Sequence, residues 1–309
     1  MRILLLGANG QVGRECRRAL APLGEVIAAT RDGALEGGGV AERADFSRPA
    51  DVAALVERLD PDAVVNAAAY TAVDRAESES DIAFRTNAET PAAVARACEE
   101  LGIPLLHYST DYVFSGEGAT PWPVDAPTQP LGVYGESKLA GEEAIRASGC
   151  RHAILRTAWV YASHGRNFLL TMLRLAGERD ELRVVADQTG TPTPAGLIAD
   201  VTAQVLSRGI DRSGIWHLVP HGQTSWHGFA EAILQGAHAR GLIERVPRIV
   251  PITTAEFPTP ARRPAWSVLD NGTLVEDFGL QLPDWQAELD GVLDALAASR
   301  AAEAGLSPS

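Results

Sequence analysis

Short apolar runs alternate with helix-patterned stretches over the first third of the chain. Arg2–Leu6 is an almost unbroken apolar run, the pattern of a strand covered on both faces. Gln11–Leu20 has helical spacing, Glu25–Thr30 reads as a second strand, and Ala50–Leu59 as a second helix. Pro61 precedes the run Asp62–Ala69, a third buried strand. Pro91 fits the first turn of a helix that reaches Leu101, and Gly102 ends it. Ile103–Ser109 is the next strand. This alternation predicts an α/β fold with a doubly wound parallel sheet. There is no internal repeat.

Beyond Arg156 the pattern loosens. Thr191–Pro194 and Pro247–Pro264 are rich in Pro and Thr and read as loops, with a capped helix between them at Ser225–Ala239. The expected division is a first domain over residues 1–165 and a smaller α/β lobe, mainly over 166–297, with segments that return to the first. A frayed tail rich in Ala, Ser, Glu and Pro follows over 298–309.

Composition narrows the function more than the fold. With 309 residues, 46% hydrophobic and 22% charged, the chain is globular and needs no staple to fold. Forty acidic against 27 basic residues leave a net charge of −13, which repels nucleic acid and anionic membranes at long range. That charge does not forbid a small anionic ligand held in a locally basic pocket. Cys16, Cys98 and Cys150 are odd in number and widely spaced, so neither a disulfide framework nor a metal pair is expected. The opening Met-Arg-Ile-Leu-Leu-Leu meets Gly7 too early for a signal segment, and no later run approaches a membrane span, so the cytoplasm is the expected compartment. Lys138 is the single lysine, every other basic side chain being arginine. A compact ammonium is what arginine cannot replace, which singles out this position.

Three constellations carry candidate chemistry. Gly7, Gly10 and Gly13 lie in a turn between the first strand and first helix, where glycines permit a tight bend and the helix N-terminus attracts a pyrophosphate. That context predicts dinucleotide binding, although a plain βα turn uses glycine too. At the end of the second strand stand Thr30 and Arg31, followed by Asp32. A guanidinium there suits a 2′-phosphate and favours NADPH, while Asp32 on a ribose hydroxyl would leave NADH possible. Tyr134 and Lys138 share one helical face at i and i+4, where the cation is expected to lower the phenol's pKa toward working pH. The run His107–Phe114 closes a strand at the edge where open α/β sheets bind ligands, and Thr110 in it can donate to a substrate oxygen. A Ser-Thr-Asp strand end is also ordinary turn chemistry. The histidines form no metal pattern, and neither a nucleophile elbow nor a phosphate loop is present.

These motifs together resemble the extended short-chain dehydrogenase/reductases. Ile3–Gly13, Val65–Glu77, His107–Phe114, Val133–Glu142, Arg156–Tyr161 and Phe257–Pro264 are similar to the dTDP-4-dehydrorhamnose reductase family in order and spacing. The resemblance implies a Rossmann-like fold and reduction of a 4-keto sugar on dTDP by NAD(P)H. It implies Tyr134 as proton donor, Lys138 as its electrostatic partner and ribose ligand, and Thr110 as the hydroxyl that orients the ketone. It implies cofactor contacts at Gly10, Gln11 and Val12, at Asp45 and Phe46, and at Ala67, Ala68 and Ala69. Substrate contacts fall on Thr110, Asp111 and Trp159.

The chain departs from that family at Thr30, where many members carry Asp, and at Tyr70, where His is frequent. Some members dimerise through a magnesium ion; Glu15 fits one ligand position, but another falls on Gly196, so no metal site is expected. A monomer or homodimer is expected. The pyrophosphate of a dTDP-sugar needs cations, and Arg166, Arg262 and Arg263 in predicted loops are candidates. Nucleotide-sugar dehydratases and epimerases share the Tyr–Lys pair, although Thr110-Asp111-Tyr112 lacks the dehydratases' Asp-Glu pair. The regulatory subunit of methionine adenosyltransferase also resembles this family and is the alternative without catalysis.

Overall fold

The computed structural model describes residues 1–303 and Gly305. Its centre is a seven-stranded parallel sheet. In chain order the strands are β1 (Arg2–Leu6), β2 (Glu25–Thr30), β3 (Glu42–Arg43), β4 (Ala63–Asn66), β5 (Leu105–Thr110) and β6 (His152–Thr157). Outside that sheet come β7 (Val160–Tyr161), β8 (Glu181–Val185), β9 (Thr189–Gly190) and β10 (Thr193–Pro194). The last are β11 (Gly214–His217), β12 (Thr224–Ser225) and β13 (Arg248–Ile252). The central sheet runs β11-β6-β5-β4-β1-β2-β3, so the strand order reverses beside β1. Ligands of such sheets bind at that reversal, outside the C-terminal strand ends.

The helices are α1 (Gln11–Leu20), α2 (Pro49–Leu59), α3 (Val73–Ala76), α4 (Ser80–Phe84), α5 (Thr90–Leu101) and α6 (Val133–Ser148). After them come α7 (Phe168–Glu178), α8 (Ala195–Arg208), α9 (Trp226–Ala239), α10 (Gly272–Phe278) and α11 (Trp285–Glu303). Alternation along β1 explains why its apolar run is unbroken. Ile3 and Leu5 face a core shared with Cys16 and Leu20 of α1 and Ile198 and Val205 of α8. Leu4 and Leu6 face the opposite core, with Val52 and Val56 of α2 and Val94 and Cys98 of α5. Each such aliphatic side chain gains about 1.5–3 kcal/mol over exposure.

The later part of the chain builds a separate core. Leu169 and Leu173 of α7, Phe229 and Ile233 of α9, and Leu293 of α11 pack beside the parallel pair β8 and β13. Three later segments return to the first body: α8 and α10 contribute Ile198 and Leu274 to its core, and β11 extends its sheet.

Several sequence expectations change. The strand expected over 62–69 stops at Asn66, because the Asn66 Oδ1 accepts from the Ala68 N–H at 3.0 Å and turns the chain out of the sheet. Within the loop expected over 247–264, Arg248–Ile252 is a strand despite Pro251. That strand is one edge of a two-stranded sheet, where a missing N–H leaves no ladder bond unmade. Thr193–Pro194, also expected as loop, pairs in parallel with Val160–Tyr161. Residues 298–303 of the expected tail continue α11; residues 304 and 306–309 lie outside the described residues.

Candidate active site

The glycine turn is built by close approach. Gly7 has φ +82°, and a Cβ on it would lie 2.6 Å from the Ala68 nitrogen; one on Gly13 would lie 2.1 Å from the Gly7 oxygen. These two glycines let β1, the residue 67–68 turn and α1 touch. Gly10 differs, since a Cβ there would meet nothing closer than 3.4 Å. Its open side faces a cleft of about 430 Å³ lined by Gly10, Gln11, Val12, Ala67, Ala69, Thr110, Asp111, Tyr134, Lys138, Trp159 and Arg166, among others. The expected site residues therefore split into those lining the cleft and those building its frame. Gly7, Gly13 and Ala68 belong to the frame.

The ribose end of the turn is built differently from the expectation. Thr30 is buried, its hydroxyl donating to the Ala34 carbonyl and accepting from the Gly33 N–H, both at 3.0 Å. It closes the loop after β2. Asp32 accepts from the Ala34 N–H, which holds its carboxyl below the usual range. Arg31 is exposed and makes no ion pair among the described residues. Asp45 accepts from the backbone and hydroxyl of Ser47, and Phe46 is a buried core side chain.

Helix α6 carries Tyr134 and Lys138 into the cleft. Its N-terminus has no cap of its own; the Glu77 carboxylate accepts from the Val133 N–H at 3.0 Å instead. Lys138 is buried, and its Nζ donates to the Tyr108 carbonyl at 2.6 Å and lies 3.3 Å from His107 Nε2. Burial pulls its pKa down to about 8, with Glu142 opposing the shift. The expectation for Tyr134 is overturned: enclosure pushes the phenol up, not down, and the nearby Asp111 carboxyl adds to this. The ammonium that was to lower it is turned to the β5 backbone.

At the end of β5, the Thr110 hydroxyl donates to Asp111 Oδ1 at 2.9 Å. Asp111 is buried, its Oδ2 has no partner among the described residues, and burial raises its carboxyl to about 6. Trp159 is held at φ +48°, a left-handed conformation rare for a bulky side chain. Its ring stacks on Trp226, centroids 3.6 Å apart.

Trp226 faces a second cavity of about 600 Å³, lined also by Arg174, Arg179, Arg183, Phe257, Asp74 and Arg263. Arg263 joins the two spaces, donating to Asp74 Oδ2 at 2.7 Å and to the Tyr112 hydroxyl at 3.1 Å. Arg166 lines the first cleft. Arg262 is exposed, 4.0 Å from Glu117, and lines neither cavity. The sequence reading missed Arg174 and Arg179 at α7 and Arg183 on β8, which line this cavity with Arg263. Among the described residues no cluster could hold a metal ion; Glu15 is engaged by His164 and Arg18. No helix among the described residues is long and apolar enough to cross a membrane.

A parallel sheet whose order reverses beside a glycine turn, with a tyrosine and a buried lysine one helical turn apart in the cleft, defines the extended short-chain dehydrogenase/reductase class. The comparison with known proteins is narrower. The family described as "RmlD substrate binding domain" matches residues 1–298. A dTDP-4-dehydrorhamnose reductase of Burkholderia thailandensis is 49% identical over 93% of this chain and 96% of its own. That of Shigella flexneri is 46% identical over 96% and 98%. The crystal structure of the Bacillus anthracis reductase, in complex with NADP, superposes with a TM-score of 0.85 at 32% identity, covering 95% of this chain and 99% of that one. The chain belongs to the RmlD family of dTDP-4-dehydrorhamnose reductases.

Proposed function

We propose that the protein reduces the 4-keto group of dTDP-4-dehydro-L-rhamnose to the alcohol of dTDP-L-rhamnose, with NADPH as reductant and NADH as a possible substitute. The observation that carries this is the convergence of Tyr134, Lys138 and Thr110 on one cleft beside the open face of Gly10. Its setting is a chain nearly half identical to reductases of that name. The cofactor fits the residues present: Gly10 leaves room for a pyrophosphate that a side chain would fill, and the α1 N-terminus has no side-chain cap to displace. Gln11, Val12, Ala67 and Ala69 would hold it, and Arg31 would meet a 2′-phosphate. NADPH, when bound, supplies the hydride that adds to C4 of the sugar.

As C4 gains that hydride, the carbonyl π pair becomes a lone pair on oxygen, and Tyr134 Oη gives its proton to that oxygen. The raised phenol pKa keeps this proton in place at neutral pH until charge develops. Thr110 and Asp111 sit where they can orient the ketone once the Thr110 hydroxyl exchanges partners. Lys138, whose amine faces the β5 backbone at the same cleft, would hold the ribose of the dinucleotide. The arginine-lined cavity past Trp226 suits a nucleoside diphosphate, with Arg179 and Arg263 as its cations and Phe257 as an aromatic face. On this reading the protein works in the cytoplasm, with the pools of its two substrates.

The test is to mix the protein with dTDP-4-dehydro-L-rhamnose and either dinucleotide and follow loss of the reduced-nicotinamide absorbance. Tyr134→Phe is expected to lower the rate by about 10²–10⁴-fold with the fold kept. No turnover with either dinucleotide would sink the reading, and near-normal turnover in the variant would remove Tyr134 from it.

A further inference from the structure

Two buried side chains behind the cleft have no place in the reaction as derived. Asn66 ends β4 and His107 lies opposite it in β5, in register. Both are buried, and Asn66 Nδ2 lies 3.0 Å from His107 Nδ1. On its far side His107 Nε2 lies 3.3 Å from Lys138 Nζ.

The direction of every hydrogen bond in this chain follows from one fixed end. The Ala68 N–H can only donate, so the Asn66 atom facing it is Oδ1 and the atom facing His107 is the NH₂. An NH₂ can only donate, so His107 Nδ1 accepts and its proton sits on Nε2. That N–H then points at Lys138. A neutral amine satisfies the arrangement fully, giving one N–H to the Tyr108 carbonyl and offering its lone pair to the imidazole. An ammonium would set N–H against N–H.

We propose that Asn66 and His107 are positioning residues that tie the charge of Lys138 to the turn Ala67–Ala69 on the wall of the cleft. Charging the lysine requires the imidazole proton to move to Nδ1 and the Asn66 amide to turn over, which breaks the bond that shapes that turn. The other ionisable groups around the lysine are Tyr134 and Glu142 from α6, Asp111 and Tyr112 after β5, and Arg166 of the same cleft. Arg156 of β6 is paired with Glu142 at 2.7 Å. Among the described residues none of these is hydrogen-bonded to the amine, whose partners are His107 and the Tyr108 carbonyl. The lowered pKa of Lys138 agrees with this frame.

The inference rests on the proposed role of Lys138 only for its consequence, so its test does not use turnover. Because Lys138 is the single lysine, lysine labelled with ¹³C at Cε gives one side-chain resonance to titrate. Histidine labelled with ¹⁵N reports the tautomer of His107, identified among seven histidines by its contact with the lysine methylene. The wild-type chain should show an Nε2–H tautomer. In Asn66→Asp the carboxylate still accepts from Ala68 and now also accepts from His107 Nδ1. The tautomer should invert, and the Lys138 midpoint should rise by about one pH unit or more. An Nδ1–H tautomer in the wild type would overturn the proposal even if the variant failed to fold. So would an unmoved midpoint, or a rise without inversion, which is the plain effect of added charge. Absence of reductase turnover, assayed separately, would remove the proposed function while these resonances still decide the coupling.

Discussion

Asp111 stands directly beside Thr110, yet its neighbours leave half of its carboxyl without a partner. A buried carboxylate in that position favours the protonated form, and the carboxyl is pushed up to about 6. The sign for stability follows. The folded chain holds this proton to higher pH than the unfolded chain does. The group therefore costs nothing below about pH 4, and its penalty grows as pH rises to about 6 and is full beyond, at roughly 2–3 kcal/mol. Asp111→Asn should remove that slope. Thermal melts at pH 4.5 and 7.5 should show the variant gaining on the wild type at the higher pH, while reductase activity falls. Parallel melting profiles would rule out a strained carboxyl. The residue types here were readable in the chain, since a Ser-Thr-Asp strand end announces itself. The charge state was not, because it depends on what Asp111 is buried among. The same limit explains why the phenol shift at Tyr134 was expected in the wrong direction: the i, i+4 spacing placed the lysine but not the Tyr108 carbonyl that holds it.

Helix α6 reaches the cleft because two of its glycines lie against backbone. A Cβ on Gly135 would lie 2.3 Å from the Tyr112 oxygen, and one on Gly141 would lie 2.1 Å from the Asn87 oxygen. Neither oxygen sits on a flexible side chain, so Gly135→Ala must push the helix away from the turn after β5. Overpacking of this kind costs about 1–3 kcal/mol. Since Tyr134 is the adjoining residue, a displacement approaching 1 Å should also lower turnover by about 10²-fold. Gly177→Ala on α7 is the control: a Cβ there meets nothing within 4 Å, so melting and turnover should hold or improve. Equal behaviour of the two variants would show that α6 has slack the contacts do not suggest. Elements differ in how far the chain discloses them, for a physical reason. β1, α1, β2 and α5 carry either a continuous apolar run or a full helical face, and their bounds follow that pattern closely. The two-residue pairings β7–β10 and β9–β12 carry no period at all, and β13 hides behind Pro251, which an edge position tolerates.

At the scale of the whole chain the two cavities share a wall, and Arg263 ties that wall together. It comes from the loop after β13, yet pairs with Asp74 after β4 and with Tyr112 after β5. Sequence distance hides such a link: the partners lie 189 and 151 residues away. Arg262, its neighbour in the chain, faces Glu117 at the surface, so adjacency could not choose between the two. If the arginine-lined cavity receives the nucleoside diphosphate, removing Arg263 should weaken sugar-nucleotide binding and leave the dinucleotide alone, because the cleft around Gly10 does not include it. Arg263→Ala should raise KM for the dTDP-sugar by about 10- to 100-fold, the loss of one charged hydrogen-bonding partner, with KM for NADPH unchanged. Asp74→Asn separates ligand contact from a structural tie: it breaks the same ion pair but leaves the guanidinium free. If the arginine acts on the ligand, that variant should bind the sugar nucleotide as well as or better than the wild type. If it acts only by joining the lobes, both variants should weaken alike, and the assignment of the second cavity to the nucleotide fails.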